Sequence, residues 1–332
     1  MLCFGAATLV SVGLTRESFV RVEPQEHVAP RNWSLPDESA GIDEIVRTLI
    51  SAFDRADIVA LGEWHGRINL DTELRIALVR NPEFAKKVRF IVVEFGSTTE
   101  QATLDRYIRG ENVSAVQLAQ VWKTTTQGNN GFLDQPIYAD FFAAVRDVNS
   151  KLPADARIRV LGGDPGPGDH RSRETAAVAV LKEQVLQKHG KALVIYGAGH
   201  FYRKMPEEYM SSMGEDIGIA NKLEMEFPGR TFAVIPVGPL DPPRGVAESV
   251  APDFQKFDRA LKTQVRPVLV SLQRLPFRDF SAEEFLGRTL TNCRGGCKSV
   301  FQGSSITLGQ MADACIYVGG GGDADTKGKT GR

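Results

Sequence analysis

Four short apolar runs in this chain each end on a side chain that can do chemistry, and two of those ends share the spelling Gly-x-x-His. Asp57-Ile58-Val59-Ala60-Leu61 runs into Gly62-Glu63-Trp64-His65, and Ala192-Leu193-Val194-Ile195-Tyr196 runs into Gly197-Ala198-Gly199-His200. Between them, Phe90-Ile91-Val92-Val93 ends on Glu94, and Ile158-Arg159-Val160-Leu161 passes through Gly162-Gly163 to Asp164. Imidazole changes charge near neutral pH, and a neighbouring carboxylate tunes where it does so. If the four ends converge, two imidazoles and up to three carboxylates share one mouth. That set suits general acid–base activation of water. It also suits a divalent metal held by His65, His200 and Glu94 with one position open for water. Residues two apart on an extended end point the same way, so Glu63 and His65 are expected to face one pocket, with Trp64 turned away. The glycines before each histidine permit a sharp turn and close approach of backbone to ligand.

Each candidate has an ordinary reading beside the functional one. His65 and His200 are two of five histidines, and a single loop histidine proves little. Glu94 closes an apolar run, where an unpaired charge is costly, so it is either held for use or paired; Arg75 and Arg106 are conceivable partners. Asp164 opens Asp-Pro-Gly-Pro-Gly, where turn chemistry competes with function. Tyr196, Tyr202 and Arg203 flank His200 and are candidates for lining the pocket, with Tyr196 and Tyr202 placed to meet a cofactor; their alternative is plain packing. His170 is expected to start a helix, His189 to cap one, and His27 carries no signal. Cys315 lies in an apolar strand and reads as inert core.

The elements that must position these residues are legible as alternation. Ile42, Ile45, Leu49 and Phe53 have helical spacing before the first glycine-terminated strand, and Leu70 to Val79 repeats the pattern up to Asn81-Pro82. Ser97-Thr98-Thr99-Glu100 has the form of a capping box opening a helix through Tyr107. Helical signals follow at Val113 to Trp122 and Ile137 to Val148, on either side of a polar loop from Thr124 to Gly131. A long helix is expected from Arg171 to Lys188, and strands at Phe232 to Val237, Val268 to Leu272 and Ala314 to Val318. Apolar runs bounded by glycine and alternating with helices predict an α/β fold: a three-layer, mostly parallel central sheet flanked by helices. In such sheets ligands sit at the carboxyl ends of the strands. The domain reading is a lead-in over 1–38, one α/β domain over 39–318 and a disordered tail over 319–332. Within the domain, 240–318 either completes the sheet or forms a lid.

Bulk properties narrow the function classes. A chain of 332 residues with 42% hydrophobic and 24% charged residues is that of a globular protein. With 40 basic and 41 acidic residues intermixed, nothing points to nucleic acid, and no run is long enough to span a bilayer. The expected partner is a small-molecule or peptide substrate. Met1 to Leu14 has the apolarity of a signal core without a basic leader, so two readings stand: a truncated export signal, with an extracytoplasmic protein, or a buried first strand in a cytoplasmic one. Cys293 and Cys297 are close enough for a disulfide in an exported protein, but no second pair completes a zinc knuckle. There is no Gly-x-Ser-x-Gly elbow, no Walker glycine loop and no His-Glu-x-x-His.

The motifs do resemble one superfamily, which joins erythromycin esterases, Tiki/TraB proteases and ChaN-like haem-binding lipoproteins. Leu61-Gly62-Glu63-Trp64-His65-Gly66 is similar to its opening Gly-Glu-x-His segment, and Ile195-Tyr196-Gly197-Ala198-Gly199-His200 to its second histidine motif. Val93-Glu94-Phe95, followed by Leu104-Asp105-Arg106-Tyr107-Ile108-Arg109-Gly110, is similar to the esterase branch. Leu161-Gly162-Gly163-Asp164 and Asp313-Ala314-Cys315-Ile316-Tyr317-Val318-Gly319 resemble its later strands. The resemblance spans roughly residues 40 to 320 of the sequence. It implies that His65 and His200 are catalytic or metal-binding, with Glu63 and Glu94 in support. The membrane anchor of the Tiki branch and the lipobox of the ChaN-like branch are not found here. The expected function is hydrolysis of an ester, lactone or amide by water activated between histidines and carboxylates, with or without a divalent metal. The alternative is haem or iron binding through the same histidines and nearby tyrosines.

Overall fold

β-Branched and aromatic residues dominate the apolar runs, and each run becomes a buried strand with helices on both sides. A computed structural model describes residues 31–63, 68–128, 136–213, 218–237, 252–261, 263–286, 291–292, 298–299 and 301–318. His65 therefore lies outside the described residues, as do His27, Cys3, Cys293, Cys297, the segment Met1 to Leu14 and the tail 319–332.

The chain opens with β1 (Glu38–Ala40), α1 (Ile42–Ala52), β2 (Ile58–Glu63), α2 (Ile68–Arg80), α3 (Pro82–Lys87) and β3 (Phe90–Ser97). Then come α4 (Gln101–Ile108), α5 (Ala115–Lys123), α6 (Pro136–Ser150), β4 (Arg159–Asp164), α7 (Arg173–Gln184) and β5 (Ala192–Gly197). The rest holds α8 (Glu207–Met213), α9 (Ile219–Glu226), β6 (Thr231–Val237), α10 (Pro252–Leu261) and β7 (Val268–Ser271). A small ribbon of β8 (Thr291–Asn292) and β9 (Lys298–Ser299) precedes the last strand, β10 (Ala314–Tyr317). Among the described residues, no helix is long and apolar enough to cross a membrane.

The main sheet has eight strands in the order β1-β7-β10-β6-β2-β5-β3-β4. β4, β3, β5, β2, β6 and β10 run parallel, while β7 pairs antiparallel with β10 and with β1. The stretch after Pro239 thus contributes β7 and β10 to the sheet itself. Side chains alternate between the faces. Val59, Leu61, Ile91, Val93, Leu193, Ile195 and Val234 face the layer of α1 to α6. Ile58, Ala60, Val92, Leu161, Val194 and Tyr196 face α7 and α9. On that second face, Ala233, Ile235, Val270 and Cys315 pack with Phe257 of α10 and with Phe277, Phe285 and Phe301. The result is the three-layer α/β architecture expected from the alternation.

Three local features depart from expectation. The helix thought to stop at Asn81-Pro82 is followed at once by α3, because Asn81 caps it by accepting from the Glu83 N–H at 3.0 Å and proline suits a first helical position. Ser97 caps a 3-10 turn before α4 rather than a box-capped α-helix. β3 does not end on Glu94 but continues to Ser97, with an irregular register against β4 between Val93 and Ser97. Gly96 and Gly162 make that bend feasible: a Cβ on Gly162 would stand 2.7 Å from the Gly96 carbonyl oxygen.

Candidate active site

The carboxyl ends of β2, β3, β4 and β5 lie side by side, and their polar ends divide between the two faces of the sheet. Odd-numbered residues of β2 face α2, so Glu63 turns toward that layer and pairs with Arg75 of α2. Arg75 is 1% exposed. Its guanidinium stands over the rings of Phe95, Tyr138 and Phe141 at 5.1, 5.8 and 5.5 Å from their centroids, and also donates to Thr72 at 3.0 Å. Desolvated aromatic faces attract a buried cation that one carboxylate neutralises. Arg75 was a conceivable partner of Glu94; it is spent on Glu63 instead, and Arg106 pairs with Glu111 on the surface.

Glu94 faces the opposite layer and takes its cation from an unforeseen place. Arg173, in the first turn of α7, pairs with its Oε1, and Gln127 Nε2 donates to the same oxygen at 2.9 Å. The Gly197 N–H donates to Oε2 at 2.8 Å, so the end of β5 holds the other lobe. His200 Nε2 lies 3.5 Å from Oε1. The far side of the imidazole meets Glu174, the residue after Arg173, with Nδ1 2.7 Å from Oε1. His200 therefore sits between two carboxylates brought from β3 and α7. Burial alone would depress the imidazole, but the two carboxylates outweigh it and push its pKa up to about 9. Burial alone would raise Glu94; His200, Arg173 and the Gly197 N–H outweigh that and hold it at about 2. Glu174 is likewise lowered against its burial by His200. At neutral pH the centre holds a protonated imidazole between two ionised carboxylates.

His200 reaches this position because the chain turns back after β5. Residues Ala198–Phe201 form a 3-10 turn over β2 and β6. Gly62 matters here for close approach rather than for turning: a Cβ would stand 3.1 Å from the Ala198 Cα and 2.9 Å from the Val234 carbonyl oxygen. Gly197, the matching glycine of the second motif, supplies the N–H that binds Glu94.

Asp164 is fully buried, and its oxygens are occupied by the Thr126 N–H at 2.8 Å, the Thr126 hydroxyl at 2.6 Å and the Gly166 N–H at 2.8 Å. Burial raises its carboxyl above the ordinary range, and those three bonds partly offset the rise. It fastens the loop after α5 whose next residue, Gln127, reaches Glu94. Tyr196 lies under the centre, its ring edge-on to His200 with centroids 5.5 Å apart. Its hydroxyl fills the space a Cβ of Gly163 would take, is fully buried and has no hydrogen-bond partner among the described residues. Tyr202 belongs elsewhere, edge-on to Phe301 in the carboxyl-terminal cluster, and Arg203 pairs with Asp313. His189 ends a short 3-10 turn in the left-handed region at φ 52°, and Cys315 is buried with its thiol pushed up by desolvation.

Among the described residues, no group of three His, Cys, Asp or Glu side chains could hold a metal ion. His65, the remaining member of the expected metal set, lies outside them. Tyr196 and Tyr202, the residues expected to meet a cofactor, are sealed in packing.

Arg173, Glu174 and Gln127 were missed by sequence reasoning. The one visible signal was a charged pair straight after Ser172, the helix cap, which reads more simply as first-turn chemistry.

No family model matches the sequence, and neither does any curated protein. Solved structures do. A succinoglycan biosynthesis protein superposes with a TM-score of 0.56 at 12% identity, over 87% of this chain and 95% of that one. A protein from Bacillus cereus gives 0.51 at 12% identity, over 85% and 92%. A mutant of the erythromycin esterase EreC in its open conformation gives 0.51 at 10% identity, over 85% and 97%. At such identities the likeness is one of fold, and the fold is that of the erythromycin esterase over nearly its whole length.

Proposed function

We propose that this chain is a hydrolase that activates water at the carboxyl edge of its sheet to cleave an ester, lactone or amide. The observation that carries the reading is His200 held between Glu94 and Glu174, charged and partly open at the mouth where α/β folds bind ligands. The shared fold with EreC, itself an erythromycin esterase, supports it.

Roles divide by protonation. A base must be unprotonated at working pH, so His200 is assigned the other role and the base is His65, two residues after Glu63 in the sequence. His200 is the acid of the pair. Arg173, 30% exposed beside Glu94, stabilises the oxyanion that develops on the attacked carbonyl. Glu63 and Arg75 set the end of β2, and Asp164 holds the loop that carries Gln127.

The test is turnover of an ester and lactone panel by wild type, His65→Ala and His200→Gln, each checked for its thermal midpoint and metal content. We expect hydrolysis by wild type without added metal, and a loss of at least about 100-fold in either variant. Full activity in either variant rules the mechanism out. A Soret band on titration with haem, together with no turnover, would replace it with the binding reading.

A further inference from the structure

We infer that Glu174 is a positioning residue that presets His200 as a proton donor at Nε2, serving a leaving group that cannot depart without a proton. The inference rests on the hydrolase reading and deepens it.

The geometry around the ring is asymmetric. Glu174 Oε1 lies 2.7 Å from Nδ1, the distance of a charge-assisted hydrogen bond, and the Glu174 side chain is 11% exposed. That contact fixes the ring's rotation and keeps a proton on Nδ1. Nε2 then faces Glu94 Oε1 at 3.5 Å, too long for a good hydrogen bond. The reason is competition. Arg173 and Gln127 already occupy Oε1, and the Gly197 N–H occupies Oε2. One imidazole proton is therefore held closely by Glu174, while the other faces Glu94 Oε1 across the longer 3.5 Å contact and is the more readily given up.

Among the described residues, the charged and titratable groups around the ring fit this arrangement. Glu94 comes from β3, Arg173 and Glu174 from the first turn of α7, and Tyr196 from β5 beneath the ring edge. Tyr209 of α8 stands near Glu174, and burial keeps both phenols above their ordinary range, so neither competes for the charge. The positive end of α7 helps keep Glu174 ionised.

In the step itself, water gives a proton to the base as its oxygen bonds to the acyl carbon. The acyl carbon–oxygen bond then breaks, its electron pair goes to the leaving oxygen, and the Nε2 proton goes to that oxygen. The products are a carboxylic acid and an alcohol, and a proton passing through solvent from the base to His200 resets the site. A nitrophenolate leaves without a proton, whereas an alkoxide does not.

The experiment compares ethyl butyrate with 4-nitrophenyl butyrate in wild type, Glu174→Gln and Glu174→Asp. We expect Glu174→Gln to lower kcat/KM on the ethyl ester about 100-fold and on the nitrophenyl ester less than about 3-fold. The alkaline limb of the ethyl-ester profile should move to lower pH, and Glu174→Asp should recover part of the loss. An equal fall on both esters, or an unmoved limb, overturns the inference. If wild type splits neither ester, the hydrolase reading falls. The positioning role is then judged by the 15N shifts of His200 at neutral pH. An imidazolium in wild type that becomes neutral in Glu174→Gln upholds it, and identical shifts refute it.

Discussion

His200 carries the account at the scale of single residues, and its charge makes stability depend on pH in a set direction. An unfolded imidazole titrates near 6.5, and the folded one near 9. Because the folded state binds the proton more tightly, this contribution is complete below about 6.5 and is lost as pH rises through about 9. Urea midpoints measured from pH 6 to pH 10 should fall along the alkaline side by the equivalent of roughly 3 kcal/mol, and the fall should be absent in His200→Gln. Glu94 works with the opposite sign: held at about 2, it stabilises the fold above its ordinary range and releases that contribution as pH falls through about 2. Arg75 gives a second residue-scale test. Arg75→Met leaves Glu63 buried without its cation and should cost about 3–5 kcal/mol, whereas Arg75→Met with Glu63→Gln should recover much of that. A double variant no more stable than the single one would mean that Glu63 does not depend on Arg75.

At the scale of elements, the site exists because β3, β4 and β5 approach more closely than side chains normally allow. The Tyr196 phenol crosses toward β4 into the space above Gly163, where a Cβ would stand 2.0 Å from its hydroxyl. Gly163→Ala is expected to destabilise by about 1–3 kcal/mol through overpacking. Tyr196→Phe should be nearly neutral or slightly stabilising, because the hydroxyl it removes has no partner among the described residues. Combining the two should cost less than the glycine change alone, as read by thermal midpoints; strict additivity would contradict this packing. The strands themselves were legible from the sequence, since uninterrupted apolar runs bounded by glycine have few other uses in a chain that alternates with helices. The end of β3 was not, because the irregular register carrying Glu94 inside the strand depends on glycines in two strands, Gly96 and Gly162.

Across the whole molecule, the centre is assembled from distant stretches: Glu94 meets Arg173 across 79 positions and the Gly197 N–H across 103. That separation explains which parts of the site were readable. Gly-x-x-His and the strand-terminal acids announce themselves locally, so His200 and Glu94 stood out. Arg173 and Glu174 look like ordinary first-turn residues until α7 docks on the sheet, and partners chosen for Glu94 by proximity in sequence proved to serve other acids. Tyr202, adjacent in sequence to the motif, is carried away by the return of the chain. A centre drawn from β3, β5 and α7 should survive only while the whole sheet does, so turnover and helical circular dichroism should vanish at the same urea concentration. Turnover lost well before the helices would place the site on a separately unfolding part.

The account turns on His200 being a cation between Glu94 and Glu174, and a 15N NMR titration of the histidine side chains observes that directly. One histidine signal, assigned by its disappearance in His200→Gln, should remain that of an imidazolium through neutral pH and titrate near 9. A signal that titrates at the ordinary value near 6.5 would contradict the account, because the two carboxylates would then not be holding the proton.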